Sequence, residues 1–337
     1  MKLILNHTLD ITDTSRHLAD QIIIDIWLLF CAAAGISGNV YVLYVTNKFN
    51  AIRIDKMSLW FIKKLTIADI LSTVIMVVPV TIVNLTGNKW IFGDILCTVI
   101  AFISRIPFIA NILLIVGLSI NKLYRVSFPL RSLDMSHRVR TFWLITVITL
   151  AIVNPFLGLF FNHFRATIHY NGMASVCRLI REGFLVVLIR LLLYILLPSL
   201  ILILTNTALI LIACKKTQSS VNKRSIVVVL GVTLRFLIAF IPYTVVLTVV
   251  FYIPVQDWLV RGAFSLLYTA CWFNPLVYYL NNPRFKEFTK RFLWSGWGGV
   301  RGRLSFRRTV LYRTMASSPV RSNMNHGSIA LVELDSR

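Results

Sequence analysis

Seven stretches of nearly uninterrupted apolar residues succeed one another along the chain, at about 22–46, 58–84, 95–123, 140–162, 184–214, 223–252 and 258–280. Each reaches the roughly 20 residues that an α-helix needs to cross a bilayer. Lipid offers the backbone no hydrogen-bonding partner, so runs of this length predict helices. Seven of them predict an all-α integral membrane domain over 22–282, with a short polar segment, 1–21, outside the membrane. From Pro283 to Leu293, Phe285, Phe288 and Phe292 alternate with Lys286, Lys290 and Arg291 at helical spacing. That pattern predicts a short amphipathic eighth helix on the membrane surface. Residues 294–337 turn to Gly, Ser and Arg and read as a disordered basic tail. Ser305, Thr309, Thr314 and Ser322 each closely follow an arginine, so the tail is either a target of basophilic kinases or a solvated anchor to the inner leaflet. No internal repeat is evident, which removes support for a transporter built of two related halves.

At 57% hydrophobic, the 337 residues carry more apolar surface than a soluble domain could cover. The net charge of +22 would suggest nucleic acid in a soluble protein, but its placement argues otherwise. Lys48, Arg53, Lys56, Lys63, Lys64, Lys122, Arg125, Arg131, Arg138, Arg140, Lys215, Lys216, Lys223, Arg224 and the tail arginines fall at one side. Only Lys2, Arg16, Lys89, Arg165, Arg178, Arg181 and Arg261 fall at the other. The positive-inside rule then orients the chain in the plasma membrane with the N-terminus extracellular and the C-terminus cytoplasmic; lipid, not nucleic acid, is the partner of the basic residues.

Met1–Leu5 is too short for a signal-peptide core, so the first helix is expected to act as its own uncleaved signal. Asn6-His7-Thr8 is a glycosylation acceptor on the outer side; Asn84-Leu85-Thr86 matches too but sits at a helix end close to the bilayer. Cys31, Cys214 and Cys271 lie in or at the ends of apolar helices and read as small buried hydrophobes. Cys97 and Cys177 fall on the oxidising outer side, which predicts a disulfide between them.

Gly38-Asn39-Val40, Leu65-Thr66-Ile67-Ala68-Asp69, Trp90-Ile91-Phe92-Gly93 before Cys97, Pro198, Phe236 to Pro242 and Asn274-Pro275-x-x-Tyr278 follow one another along the successive apolar runs, and on these residues the chain over about 22–293 resembles a rhodopsin-like (class A) G-protein-coupled receptor. Gly38-Asn39-Val40 looks like the family's first-helix motif, and Leu65-Thr66-Ile67-Ala68-Asp69 its second, with Asp69 as the buried acid. Trp90-Ile91-Phe92-Gly93 before Cys97 is similar to the first outer loop, and Pro198 matches the fifth-helix proline. Phe236-Leu237-Ile238-Ala239-Phe240-Ile241-Pro242 resembles the sixth-helix kink motif, with Phe240 replacing a tryptophan; Asn274-Pro275-x-x-Tyr278 resembles the seventh. The third helix has the length the family needs, since Cys97 to Lys122 spans about 37 Å of helix at 1.5 Å per residue. The resemblance implies a heterotrimeric G protein, and arrestin, as cytoplasmic partners. It also implies a switch at Ile112, Pro198, Phe236, Pro242, Pro275 and Tyr278, and a buried polar centre at Asn39, Asp69, Asn111 and Asn274 where the family binds sodium.

Departures from the family pattern fall at the cytoplasmic end. Asn121-Lys122-Leu123 stands in place of Asp-Arg-Tyr, Asn206 replaces the fifth-helix tyrosine, and Asn222 stands where many relatives place an acid. Asn121 cannot form the family's resting ion pair, and Lys122 lacks the planar fork of arginine. With Lys223 and Arg224 these residues form the expected G-protein-coupling set, and two readings stand: a weakly locked receptor with basal activity, or one that couples poorly or not at all. The fourth helix lacks the usual tryptophan, its position taken by Thr149 or a neighbour, with Trp143 nearer the cytoplasm. Tyr268 occupies the position of a light receptor's Schiff-base lysine, so no retinal is expected, and Ser104 that of the amine receptors' aspartate.

Arg105 and Arg190 lie within outer halves of apolar helices and are expected to face the bundle rather than lipid. With Arg178, Arg181 and Arg261 around the mouth, and only Asp94, Glu182 and Asp257 to neutralise them, they suit a carboxylate or phosphate. The expected ligand is therefore anionic: a metabolite, acidic lipid, nucleotide or acid-ended peptide. Ser104, Phe108, Phe240, Tyr243 and Tyr268 complete its expected contacts. The alternative is that the arginines are solvated by water and loop acids. Arg235 stands about 10 Å of helix before Pro242, where it either pairs with Asp69 and substitutes for sodium or extends towards inner water. No metal-ligand or Ser-His-Asp spacing appears, so no enzyme activity is expected. The two function classes left are a G-protein-coupled receptor and a non-coupling scavenger, chaperone or heteromer partner.

Overall fold

Neither glycine nor proline occurs before Gly35, and nothing stops the first helix, which runs from Lys2 to Lys48. The polar segment before Gln21 is thus helical and continuous with the apolar span that begins there. In the computed structural model the described residues are 2–48, 56–87, 89–128, 137–161, 168–171, 176–179, 184–215, 220–250, 253, 255–281, 285–287 and 289–290. The side chains of Asn6, Arg178, Lys223, Arg224 and Asp257 lie outside the described residues, as do Arg181, Glu182 and the tail.

Prolines set the shape of the remaining helices. The second helix is Lys56–Ser72 and Val78–Leu85 joined by a π-helical turn at Thr73–Val77, just before Pro79. The fifth is Phe184–Arg190 and Leu197–Lys215 joined by a π-helical turn at Leu191–Leu196, just before Pro198. A proline lacks the N–H for the preceding turn and its ring crowds that turn's carbonyl; widening the turn accommodates both. The third helix, Gly93–Ile103 and Arg105–Ser127, breaks at Ser104, three residues before Pro107. The fourth (His137–Phe161), sixth (Ser220–Val249) and seventh (Asp257–Asn281) carry Pro155, Pro242 and Pro275 internally. Six of the seven helices are long and apolar enough to cross a membrane; the seventh matches them in length, but Arg261, Asn274 and other polar residues dilute it.

The strands β1 (Ile168–Asn171) and β2 (Val176–Leu179) pair antiparallel, with Tyr170 opposite Cys177. This hairpin was not anticipated by a helix-only reading. Cys177 on β2 is bonded to Cys97 in the first turns of the third helix, with Trp90 packed against the pair, so one end of the bundle is the disulfide end.

The third helix is buried continuously from Leu114 to Ser119 and contacts the second, fourth, fifth and sixth helices. Gly117 makes its close approach to the fourth helix possible. A Cβ there would lie 2.5 Å from both the Phe61 and Trp143 rings, which meet edge to face. Ile22, Ile23, Leu200, Ile203 and Leu204 are exposed and form lipid-facing surface. Phe285 is buried, stacks edge-on against Tyr41 and accepts a hydrogen bond from the Tyr41 hydroxyl at its carbonyl. A second unit begins at Glu287; its described residues Glu287, Thr289 and Lys290 are helical.

Candidate functional site

Midway along the bundle, polar side chains from four helices converge on Asp69, which is almost wholly buried. Asn274 donates from Nδ2 to Asp69 Oδ2 at 2.7 Å, and Arg235 Nη1 stands 3.8 Å from Asp69 Oδ1. The same Arg235 nitrogen donates to the Ala270 carbonyl at 2.7 Å. Of the two positions the sequence left open for Arg235, the structure has the inward one: its side chain is 1% exposed. Asn111 reaches the Ser72 hydroxyl at 3.4 Å. Asn39 stands one layer away and donates to the carbonyls of Gly35 (2.8 Å) and Cys271 (2.6 Å). The Cys271 carbonyl needs such a donor because Pro275, four residues on, has no N–H to give it.

Several groups of this centre remain without a partner among the described residues: Arg235 Nε and Nη2, the carbonyl oxygens of Asn39, Asn111 and Asn274, and the Tyr278 hydroxyl. The second, sixth and seventh helices are therefore joined through one charged pair whose hydrogen-bonding capacity is only partly used. Unmet capacity in a buried polar cluster is costly.

Above the centre, towards the disulfide end, aromatic rings form a column. Arg235 lies 5.8 Å from the Phe240 ring, Phe240 tilts against Phe236 at 4.8 Å and against Phe108 at 4.7 Å, and Phe108 meets Tyr243 at 6.0 Å. Tyr243 continues to Phe264 and Phe264 to Tyr268. Tyr268 is buried, and its hydroxyl has no partner among the described residues. Ile112 and Phe236 are fully buried and Pro198 is buried, each in the position a packed core requires. Ser104 is the break residue of the third helix and is half-buried, as is Arg261.

Arg105 and Arg190, the arginines of this half expected to face the bundle with few acids to neutralise them, are engaged within the chain. Arg190 donates to the Asn154 carbonyl at 3.1 Å, one residue before Pro155 and beside Tyr194, whose hydroxyl bonds the Leu150 carbonyl. That bond ties the fifth helix to the fourth. Arg105 is half-buried and has a partner within the chain.

At the opposite end, Asn121 is buried and donates to the Ser58 hydroxyl at 3.0 Å, tying the third helix to the second. Lys122 is 4% exposed and is engaged within the chain; Leu123 is half-buried. Asn206 donates to Thr233 Oγ1 at 3.0 Å and so links the fifth helix to the sixth; its neighbour Thr205 shares a hydrogen bond with Ser119 of the third helix at 2.8 Å. Among the described residues no three His, Cys, Asp or Glu side chains stand close enough to hold a metal ion.

Thr233, Ser58 and the Ala270 carbonyl were missed by sequence reasoning, since a lone hydroxyl or a main-chain oxygen in an apolar run carries no motif. The π-helical turns had a signal, in Pro79 and Pro198, that apolar run length alone passes over.

The family model for the 7 transmembrane receptor (rhodopsin family) matches residues 38–278. Melanopsin-B of Xenopus laevis is 30% identical over 131 residues, which are 38% of this chain and 24% of that protein. A QRFP-like peptide receptor of Branchiostoma floridae is 30% identical over 145 residues, which are 42% of this chain and 36% of that receptor. The matches thus span about a quarter and about a third of those two curated relatives. The crystal structure of squid rhodopsin superposes with a TM-score of 0.72 over 90% of this chain and 93% of that one at 19% identity, a likeness of fold. The chain is a multi-pass membrane protein and belongs to the rhodopsin family of seven-transmembrane receptors.

Proposed function

We propose that this chain is a plasma-membrane receptor, N-terminus outside, that converts extracellular binding of an anionic ligand into activation of a heterotrimeric G protein. The observation that carries the reading is the Asp69–Arg235 pair. It ties the sixth helix to the second and seventh directly beneath an aromatic column that reaches towards the disulfide end. A ligand that displaces Phe108 or Tyr243 presses on Phe240, and Phe240 presses on Arg235. Two discrete arrangements of a packed element are what couples distant sites. The ligand's charge follows from the basic residues of that end, Arg105, Arg178 and Arg261, against few acids. Arg190, committed to the Asn154 carbonyl, contributes position rather than a free fork.

A second reading is favoured by the opposite end: a seven-helix protein that binds ligand or a partner receptor without coupling. Asn121 is tied to Ser58 and Lys122 is buried, so the residues that would meet a G protein are withdrawn. Ligand-independent G-protein activation at matched surface expression separates the two, comparing wild type with Lys122→Arg and Lys122→Ala. Activity above mock that falls with Lys122→Ala supports the coupling receptor. Silence in wild type and both variants, persisting in nucleotide exchange with purified G proteins, supports the non-coupling reading.

A further inference from the structure

The oxygen atoms around Asp69 form a set that a hard cation would accept. They are the carboxylate, the Ser72 hydroxyl one turn along the same helix, and the amide carbonyls of Asn111 and Asn274, which no donor among the described residues satisfies. A sodium ion here is what the family resemblance implies. The residues present do not fit it. The guanidinium of Arg235 already faces the carboxylate, both side chains are 1% exposed, and Nη1 is anchored on the Ala270 carbonyl. A diffusible cation entering beside it would meet like charge at short range in a medium of low dielectric.

We propose that Arg235 is a tethered cation: it takes the place of a diffusible ion at Asp69, so this protein's centre binds no sodium and its neutralising charge belongs to the sixth helix. Three features fit that role. The cation is buried, where an arginine without a partner is strongly disfavoured, so Asp69 is its counter-charge and not an incidental neighbour. It is shared between the second helix, through Asp69, and the seventh, through Ala270. It also stands over the Phe240 ring, five residues along its own helix, which places the charge at the foot of the aromatic column. An ion in solution leaves or enters according to its concentration. A tethered one leaves only when its helix moves, so the resting arrangement is independent of the surrounding salt. This inference concerns the ion content of the centre and holds whichever ligand is bound and whether or not a G protein couples.

The test is thermal unfolding of the purified full chain in detergent, in sodium chloride against N-methylglucamine chloride at equal ionic strength. No G protein or ligand enters the measurement, so its outcome is separate from that of the coupling assays. Wild type is expected to unfold at the same midpoint in both salts. Arg235→Met frees the oxygen set and is expected to gain a saturable, sodium-specific rise of a few degrees. Adding Asp69→Asn to that variant should abolish the rise, and Arg235→Lys should keep the indifference of wild type. A sodium-specific rise in wild type overturns the proposal even if Arg235→Met fails to accumulate, and a folded Arg235→Met that ignores sodium overturns it as well.

Discussion

The amide of Asn39 donates at 2.6 Å to the carbonyl of Cys271, the oxygen that Pro275 leaves without its helical partner. A proline inside a membrane helix frees one carbonyl, and lipid supplies no donor; here the first helix supplies it. The proline of the seventh helix and the asparagine of the first are thus two halves of one interaction.

Asn39→Ala should cost roughly 1–3 kcal/mol, the usual penalty for orphaning a buried acceptor. Replacing the proline as well, in Pro275→Ala, returns an N–H to the Cys271 carbonyl, so Asn39→Ala should then cost much less. Thermal denaturation of the two single variants and the double variant measures the difference. Strict additivity would falsify the link.

The Asn206–Thr233 bond holds the sixth helix from the fifth-helix side, two residues from where Arg235 holds it from the other. Thr233→Val keeps the shape and removes the acceptor, leaving the Asn206 amide with the Leu202 carbonyl. A cycle of Thr233→Val with Asn206→Leu should give a coupling of about 1 kcal/mol in stability. In the coupling reading, Thr233→Val should also raise ligand-independent nucleotide exchange, since one polar restraint on the sixth helix is gone. Unchanged exchange with a measured stability coupling would confine the bond to a structural role.

Gly117→Ala places a methyl group 2.5 Å from the rings of Phe61 and Trp143, an overpacking that should cost about 1–3 kcal/mol. Trp143→Leu removes the larger obstacle, so the pair should be more stable than the sum of its parts predicts. A Gly117→Ala variant with the midpoint of wild type would show that the third and fourth helices separate easily there.

The membrane helices and their order were legible in the chain because each is a local property, and the residues of the polar centre were named through the family resemblance. A run of about 20 apolar residues must bury its backbone bonds within itself, wherever its neighbours stand. A lone Asp69 or Asn274 in such a run must turn inward. The Cys97–Cys177 disulfide followed from which side of the membrane each cysteine occupies. Partners were another matter. Whether Arg235 meets Asp69 or inner water, whether Arg190 lies open or takes the Asn154 carbonyl, and that Asn206 finds Thr233 all depend on how helices distant in sequence are rotated and staggered. Rotation and stagger are set by packing summed over whole interfaces, Gly117 against Trp143 among them, and by the π-helical turns at Thr73–Val77 and Leu191–Leu196 that re-aim every side chain beyond them. The sequence determined which groups had to be paired; only the tertiary structure, through that collective packing, decided with what.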